Sequence, residues 1–91
     1  MRIRYTTQAR DDLVEIHSYI ANENRVAAAK VIRTIREQIR ILVDHPHIGR
    51  RGQIDGTREL IISHYPYILA YRVIGETIEI VTVWHTARDY P

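Results

Sequence analysis

The chain has no cysteine among its 91 residues. That excludes disulfides and thiolate chemistry, and it removes the ligand that structural zinc sites use most. Lysine is nearly missing too: twelve of the thirteen cationic residues are arginine, and Lys30 stands alone. No apolar run is long enough to span a bilayer, and no basic, apolar leader for export opens the chain. A cytoplasmic protein with no membrane partner is therefore expected. P-loop, nucleophile-elbow and zincin motifs are all lacking, which leaves nucleotide hydrolysis, serine hydrolysis and metalloproteolysis without their usual signatures. His45 and His47 flank Pro46, but no cysteine or carboxylate stands at a standard ligand spacing from them, so no metal is expected. No cofactor is expected either.

What is present fits one domain over residues 1–91. A composition of 45% hydrophobic and 26% charged residues lies in the ordinary globular range, and the length suits a single modest core. The formal charge is only +2, but it is carried almost wholly by arginine. A guanidinium is a planar fork matched to carboxylate and phosphate, so an acidic protein or a nucleic acid is the expected class of partner. A GC-rich genome produces the same bias without any function.

Periodicity divides the chain in two. "RIRY" alternates polar and apolar residues as a short strand does. Thr6 or Thr7 then caps a helix whose apolar stripe is Ala9, Leu13, Ile16 and Ile20, with Asp11 and Asp12 near its positive end. Asn24 is positioned to cap a second helix, in which Ala28, Val31, Ile32, Ile35, Ile39, Leu42 and Val43 recur at steps of three and four. Lys30, Arg33, Arg36 and Arg40 fall on its other face. The segment "DHPHIGRRGQIDG" breaks this pattern with Pro46, Gly49, Gly52 and Gly56 and reads as a loop. Beyond it the period becomes two, in "TRELIISH", "YILAYRVI" and "TIEIVTVWH", the last two joined through Gly75-Glu76 as a tight hairpin. The expected fold is α+β, in the order β-α-α-β-β-β, with an N-terminal helical hairpin packed on a mainly antiparallel sheet.

The candidate site residues gather around that sheet. Arg58 opens the strand after the loop that bears Arg50 and Arg51, and Arg72 lies on the following strand. His85 ends the last strand, beside Trp84, and Arg88 and Tyr90 follow it. Arginines can hold a phosphate and stabilise charge developing at phosphorus, a histidine can move a proton near neutral pH, and a tyrosine can stack on a base. Structural duties suit the same residues. Arg50, Arg51 and Arg88 fit solvated loop charges, Arg58 fits an ion pair across the sheet, Trp84 fits a core anchor, and His85 fits the cap of a strand end.

In order, "RIRYTTQARDDLVEI", "HPHIGRRG", "GTRELII", "YPYILAYRV" and "IEIVTVWHTARDYP" resemble the RelE/ParE superfamily of bacterial toxins, over the whole chain and closer to the ParE, or plasmid stabilisation, branch. The resemblance implies the toxin of a type II toxin–antitoxin module, joined in a hetero-oligomer to an antitoxin encoded by the adjacent gene. A ParE-like member poisons DNA gyrase, blocks replication and is no enzyme. A RelE-like member is an endoribonuclease that cuts messenger RNA on the ribosome, and Arg58, His85, Arg88 and Tyr90 would then be its catalytic set. A third alternative is a decayed toxin that keeps only antitoxin binding. In each case Arg50, Arg51, Arg58, Arg72, Trp84, His85, Arg88 and Tyr90 are expected on the surface that meets target or antitoxin.

Overall fold

Two side-chain caps start the two helices. Thr6 lies in extended backbone (φ −69°, ψ 164°), and its Oγ1 accepts the Ala9 N–H at 3.0 Å, which satisfies one of the orphan donors of the first turn. The Asn24 side chain accepts the Ala27 N–H at 2.9 Å in the same way. In the computed structural model, which describes residues 1–87, strand β1 (Arg2–Tyr5) leads through these caps into helices α1 (Thr7–Ala21) and α2 (Arg25–Asp44). Strands β2 (Arg50–Arg51), β3 (Arg58–Ile61), β4 (Tyr67–Ile74) and β5 (Thr77–His85) follow. The sheet order is β1-β5-β4-β3-β2, with β1 parallel to β5 and the other neighbours antiparallel.

This is the expected α+β arrangement with one additional element. Inside the segment read as a loop, Arg50 pairs with Glu59 and Arg51 with Arg58, which makes β2 an edge strand. Two residues carry no period, so no pattern in the sequence marks them.

The core lies between the helical hairpin and one face of the sheet. Ile35, Ile39 and Leu42 of α2 are fully excluded from solvent, as are Leu69 and Tyr71 of β4 and Ile78 and Ile80 of β5. Helical steps of three and four deliver the first group and the two-residue period of the strands delivers the second. Each such burial contributes about 1.5–3 kcal/mol relative to exposure. The four-residue β1 is held by pairing with β5 and by Ile3 and Tyr5, which pack against this core. At the β4–β5 turn, Gly75 takes the positive φ (57°) that the first central position of a II′ hairpin turn requires.

A β-bulge fixes α1 on the sheet. The register slips between Ala70↔Thr82 and Tyr71↔Ile80, leaving Val81 as the extra residue. Thr6 Oγ1 donates to the Val81 carbonyl at 2.7 Å. Six residues further on, Asp12 Oδ2 accepts from Thr82 Oγ1 at 2.6 Å and from the Val83 N–H at 2.9 Å.

A second anchor fixes the chain between α2 and β2. The buried Tyr71 hydroxyl donates to the Pro46 carbonyl and accepts the Gly49 N–H, both at 2.9 Å. Gly49 has to be glycine here, because a Cβ would stand 2.7 Å from the Tyr71 oxygen and 2.9 Å from the Glu59 carbonyl. Burial pushes the Tyr71 phenol above its ordinary value of 10.0, against the opposing pull of the Gly49 amide and the Arg58 charge.

Two stability measurements follow from these anchors. Asp12→Ala removes a carboxylate that accepts two bonds from β5, and it is expected to lower unfolding stability by about 1.5–3 kcal/mol, read as a lower urea midpoint at unchanged slope. Tyr71→Phe removes the partner of the buried Gly49 N–H and of the part-buried Pro46 carbonyl, a cost of about 1–3 kcal/mol at pH 7. The folded state holds the phenol protonated above its unfolded value. Its contribution is therefore complete below about pH 10 and is lost as the pH rises through the higher folded value. The stability gap between wild type and Tyr71→Phe should narrow above pH 10, and a gap that stayed constant there would contradict the anchor.

Candidate functional site

Four arginines on the sheet were expected to line one surface, and the structure sorts them differently. Arg58 sits opposite Tyr71, and Arg72 follows Tyr71 on the same strand, so the two point to opposite faces of the sheet. The Arg58 Nη1 donates to the His47 carbonyl at 3.2 Å and to the Gly49 carbonyl at 2.9 Å. It thus braces the loop that Tyr71 anchors, and its partners are carbonyls rather than a carboxylate across the sheet. Arg50 pairs instead with the buried Glu59, at 3.0 Å from Nη2 and 3.2 Å from Nε, and Glu59 also accepts the Gln53 N–H at 3.2 Å. Arg72 lies opposite Glu79 on the face away from the helices, with Nε 3.2 Å from its carboxylate, though without hydrogen-bond alignment. Arg4 reaches the same carboxylate at 2.7 Å from the next strand. Arg51 is exposed, is in no ion pair among the described residues, and faces Arg58 across the β2–β3 pair.

His85 and Arg58 are not brought together. His85 pairs with Tyr67 and Arg58 pairs with Tyr71, so they lie about 13 Å apart along β4 and on opposite sides of it. The His85 Nδ1 accepts the Ala87 N–H at 3.0 Å, closing the end of β5, and the ring meets Tyr67 edge-on with centroids 5.3 Å apart. Trp84 is buried. Together with Tyr67, Tyr19 and Glu15, these two residues line a groove of about 300 Å³ between α1 and the end of β5. Arg88 and Tyr90 lie outside the described residues. Among the described residues no three histidine, aspartate or glutamate side chains gather into a metal-holding group, and no helix is long and apolar enough to cross a membrane.

A wider groove, about 710 Å³, opens where α1, α2 and β1 meet. Ile3, Tyr5, Leu13 and Ile32 form its floor, and Arg10, His17, Arg36 and Arg40 stand around it. Reading the sequence by helix faces puts Arg36 and Arg40 with Lys30 and Arg33 on one solvated stripe. The available signal was finer: Ile32, Arg36 and Arg40 are each four residues apart, so an apolar position and two cations share one side of α2.

Comparison with known proteins fits this frame. The model of the family described as "ParE toxin of type II toxin-antitoxin system, parDE" matches residues 3–90. A Sinorhizobium fredii protein named as a toxin, Y4kP, is 41% identical over 99% of this chain and 93% of its own length. Toxin RelE2 of Caulobacter vibrioides is 29% identical over 96% of this chain and 97% of its own. Among solved structures, a chain of the chromosomal ParDE toxin–antitoxin system of P. aeruginosa superimposes with a TM-score of 0.82 at 28% identity, covering 93% of this chain and 95% of that one. The isolated E. coli RelE toxin shares the fold, with a TM-score of 0.71 at 14% identity over 97% of this chain and 86% of that one. The chain described here belongs to the ParE toxin family of type II toxin–antitoxin systems.

Proposed function

We propose that this toxin is a ParE-like poison of DNA gyrase, which blocks replication by binding its target and performs no chemistry of its own. The observation that carries the reading is the separation of Arg58 from His85. An endoribonuclease needs a proton-moving group and a phosphate-stabilising cation within reach of one phosphodiester. Here the two stand at different ends of the sheet, and the Arg58 guanidinium already serves two loop carbonyls. Arg50 and Arg72 are likewise tied to sheet carboxylates. A poison that works by affinity needs none of these groups free.

The second partner in this reading is the antitoxin of the adjacent gene, which forms a hetero-oligomer with the toxin in the cytoplasm. The arginine excess suits an acidic antitoxin segment that orders as it binds. Arg51, His85, Arg88 and Tyr90 remain assigned to the surface that meets gyrase or antitoxin.

Induction of the toxin alone in bacteria tests the target. Thymidine incorporation should fall within minutes, ahead of methionine incorporation, with filamentation and DNA-damage signalling. Methionine falling first, with new cleavages in messenger RNA, would establish the ribosome-dependent RNase instead, and unimpaired growth would mark a decayed toxin. His85→Ala gives a second, independent reading. It is expected to leave growth arrest within about threefold of wild type in a protein that still folds, whereas a catalytic histidine would be worth about 10²-fold or more.

A further inference from the structure

We propose that the groove between α1 and the end of β5 holds the guanidinium of an arginine carried by a partner protein. The aliphatic stem of that arginine lies on an apolar floor, and its cation meets aromatic rings and the Glu15 carboxylate. The assignment goes beyond the gyrase reading and does not rest on it, because it follows from the chemistry of the groove.

Helical spacing makes one wall. Asp12, Glu15, Ile16 and Tyr19 stand at i, i+3, i+4 and i+7 on α1, so all four face the same way. The end of β5, with Tyr67 of β4 paired to it, makes the other. Bonds tie the two walls together: Asp12 accepts from Thr82 and Val83, and Thr6 holds the start of α1 to the Val81 carbonyl. The groove is thereby held at a fixed width before any ligand arrives, which lowers the ordering cost of binding.

Three observations select a guanidinium. The first is the sign of the charge. Asp12 and Glu15 line the groove, no arginine or lysine does, and neither carboxylate is in an ion pair among the described residues. This reverses the pattern elsewhere, since Arg10, Arg36 and Arg40 stand around the wider groove and Arg51 and Arg58 line the cleft at the β2–β3 turn. The oxygens of Asp12 are taken by Gln8, Thr82 and Val83, so it supplies field alone. Glu15 is exposed and has no hydrogen-bond partner among the described residues, which makes it the open acceptor.

The second observation is the rings. Tyr19, one turn from Glu15, is 79% exposed, and Tyr67 and His85 meet at 86°, forming a corner rather than a flat stack. Trp84 lines the same space. Cations are drawn to such ring faces. The third is the floor of Ile16 and Val83, which suits the methylene stem of a long basic side chain. A bare metal ion would leave rings and floor unused. A lysine ammonium is a strongly hydrated point, whereas a guanidinium is flat and weakly hydrated, and it stacks on a ring while its edge bonds a carboxylate. At about 300 Å³ the groove has room for one side chain and not for a cofactor.

The test uses the purified full chain and three capped tripeptides, Gly-Arg-Gly, Gly-Lys-Gly and Gly-citrulline-Gly. Citrulline matches arginine in size and shape but carries no charge. Binding is followed by the fluorescence of Trp84, the only tryptophan of the chain, and by the amide NMR shifts of Tyr19 and Ala87. The medium is at pH 8, where imidazoles are neutral, and about 0.15 M salt, which screens distant charges. The arginine peptide is expected to give a saturable change in both signals, and citrulline to bind about tenfold more weakly. Glu15→Gln should weaken the arginine peptide about three- to fivefold and Tyr19→Ala about two- to fivefold. Glu37→Gln, an exposed acid on α2 outside the groove, should change it by less than about 1.5-fold. Matching thermal melts establish that the variants are folded. Citrulline or lysine binding as well as arginine would overturn the proposal, as would equal weakening by Glu15→Gln and Glu37→Gln, or no saturable change in either signal. Arg88 follows the groove in the sequence, so Arg88→Ala is titrated alongside. Binding equal to wild type is expected, and binding seen only in this variant would make the chain's own arginine the occupant and overturn the assignment to a partner. None of these readings depends on gyrase, so their failure and that of the thymidine experiment are separate results.

Discussion

The Tyr71 phenol holds the far half of the sheet to the rest of the molecule. Its ring is buried between α2 and the strands, and its hydroxyl is the only part that must be satisfied there. By donating to Pro46 and accepting from Gly49, it turns a break in secondary structure into a fixed corner. The consequences run outward from that corner. Gly49 is held so close that no side chain fits, Arg58 finds two carbonyls at a defined place, and Arg50 enters β2 opposite Glu59. A residue one hydroxyl smaller would fill the same space in the core and lose the corner. That is why the costs of the polar and apolar parts of this side chain have to be counted separately.

The arginines consequently fall into two populations with different physics. Four of those on the sheet are spent on the frame. Arg4 and Arg72 share Glu79 across three adjacent strands, Arg50 serves a carboxylate that is almost wholly buried, and Arg58 braces a loop. In the exposed pairs the attraction is weakened by solvent, so their effect is to fix side-chain positions more than to add stability. The pair with Glu59 differs, because removing Arg50 would leave a buried carboxylate facing only the Gln53 amide. Arginines on the helices are exposed, and among the described residues none of them is in an ion pair. Partner binding can draw on that second population without disturbing the frame.

Much of this was legible in the chain. Both helices, their caps at Thr6 and Asn24, the buried stripe from Ala28 to Leu42 and the hairpin at Gly75 all rest on local rules that act within a few residues. What could not be read depends on contacts far apart in sequence. Asp12 looked like a charge placed to suit a helix dipole, but its oxygen bonds residues seventy positions away, at a bulge that has no signature in "EIVTVW". Arg58 was correctly placed at a strand start and on the sheet, yet the carbonyls it serves belong to a loop whose path depends on Tyr71. Trp84, expected on the surface that meets target or antitoxin, is buried instead, which suits a core anchor, and His85 closes a strand end. Residue type therefore identified the elements, and only the three-dimensional register showed which charges remained available.

That availability bears on how a domain this small could act. A catalyst must keep charged groups desolvated, close together and without competing partners, and each such group detracts from folding. A chain of 91 residues has a thin margin for that. A poison has a lighter requirement: it must present a rigid surface with a higher affinity for one state of its target than for the others. Spending sheet arginines on Glu59, Glu79 and the loop carbonyls makes such a surface stiffer and leaves binding capacity intact. On the proposed reading, then, the features that weaken the case for an RNase are the ones that make a good ligand.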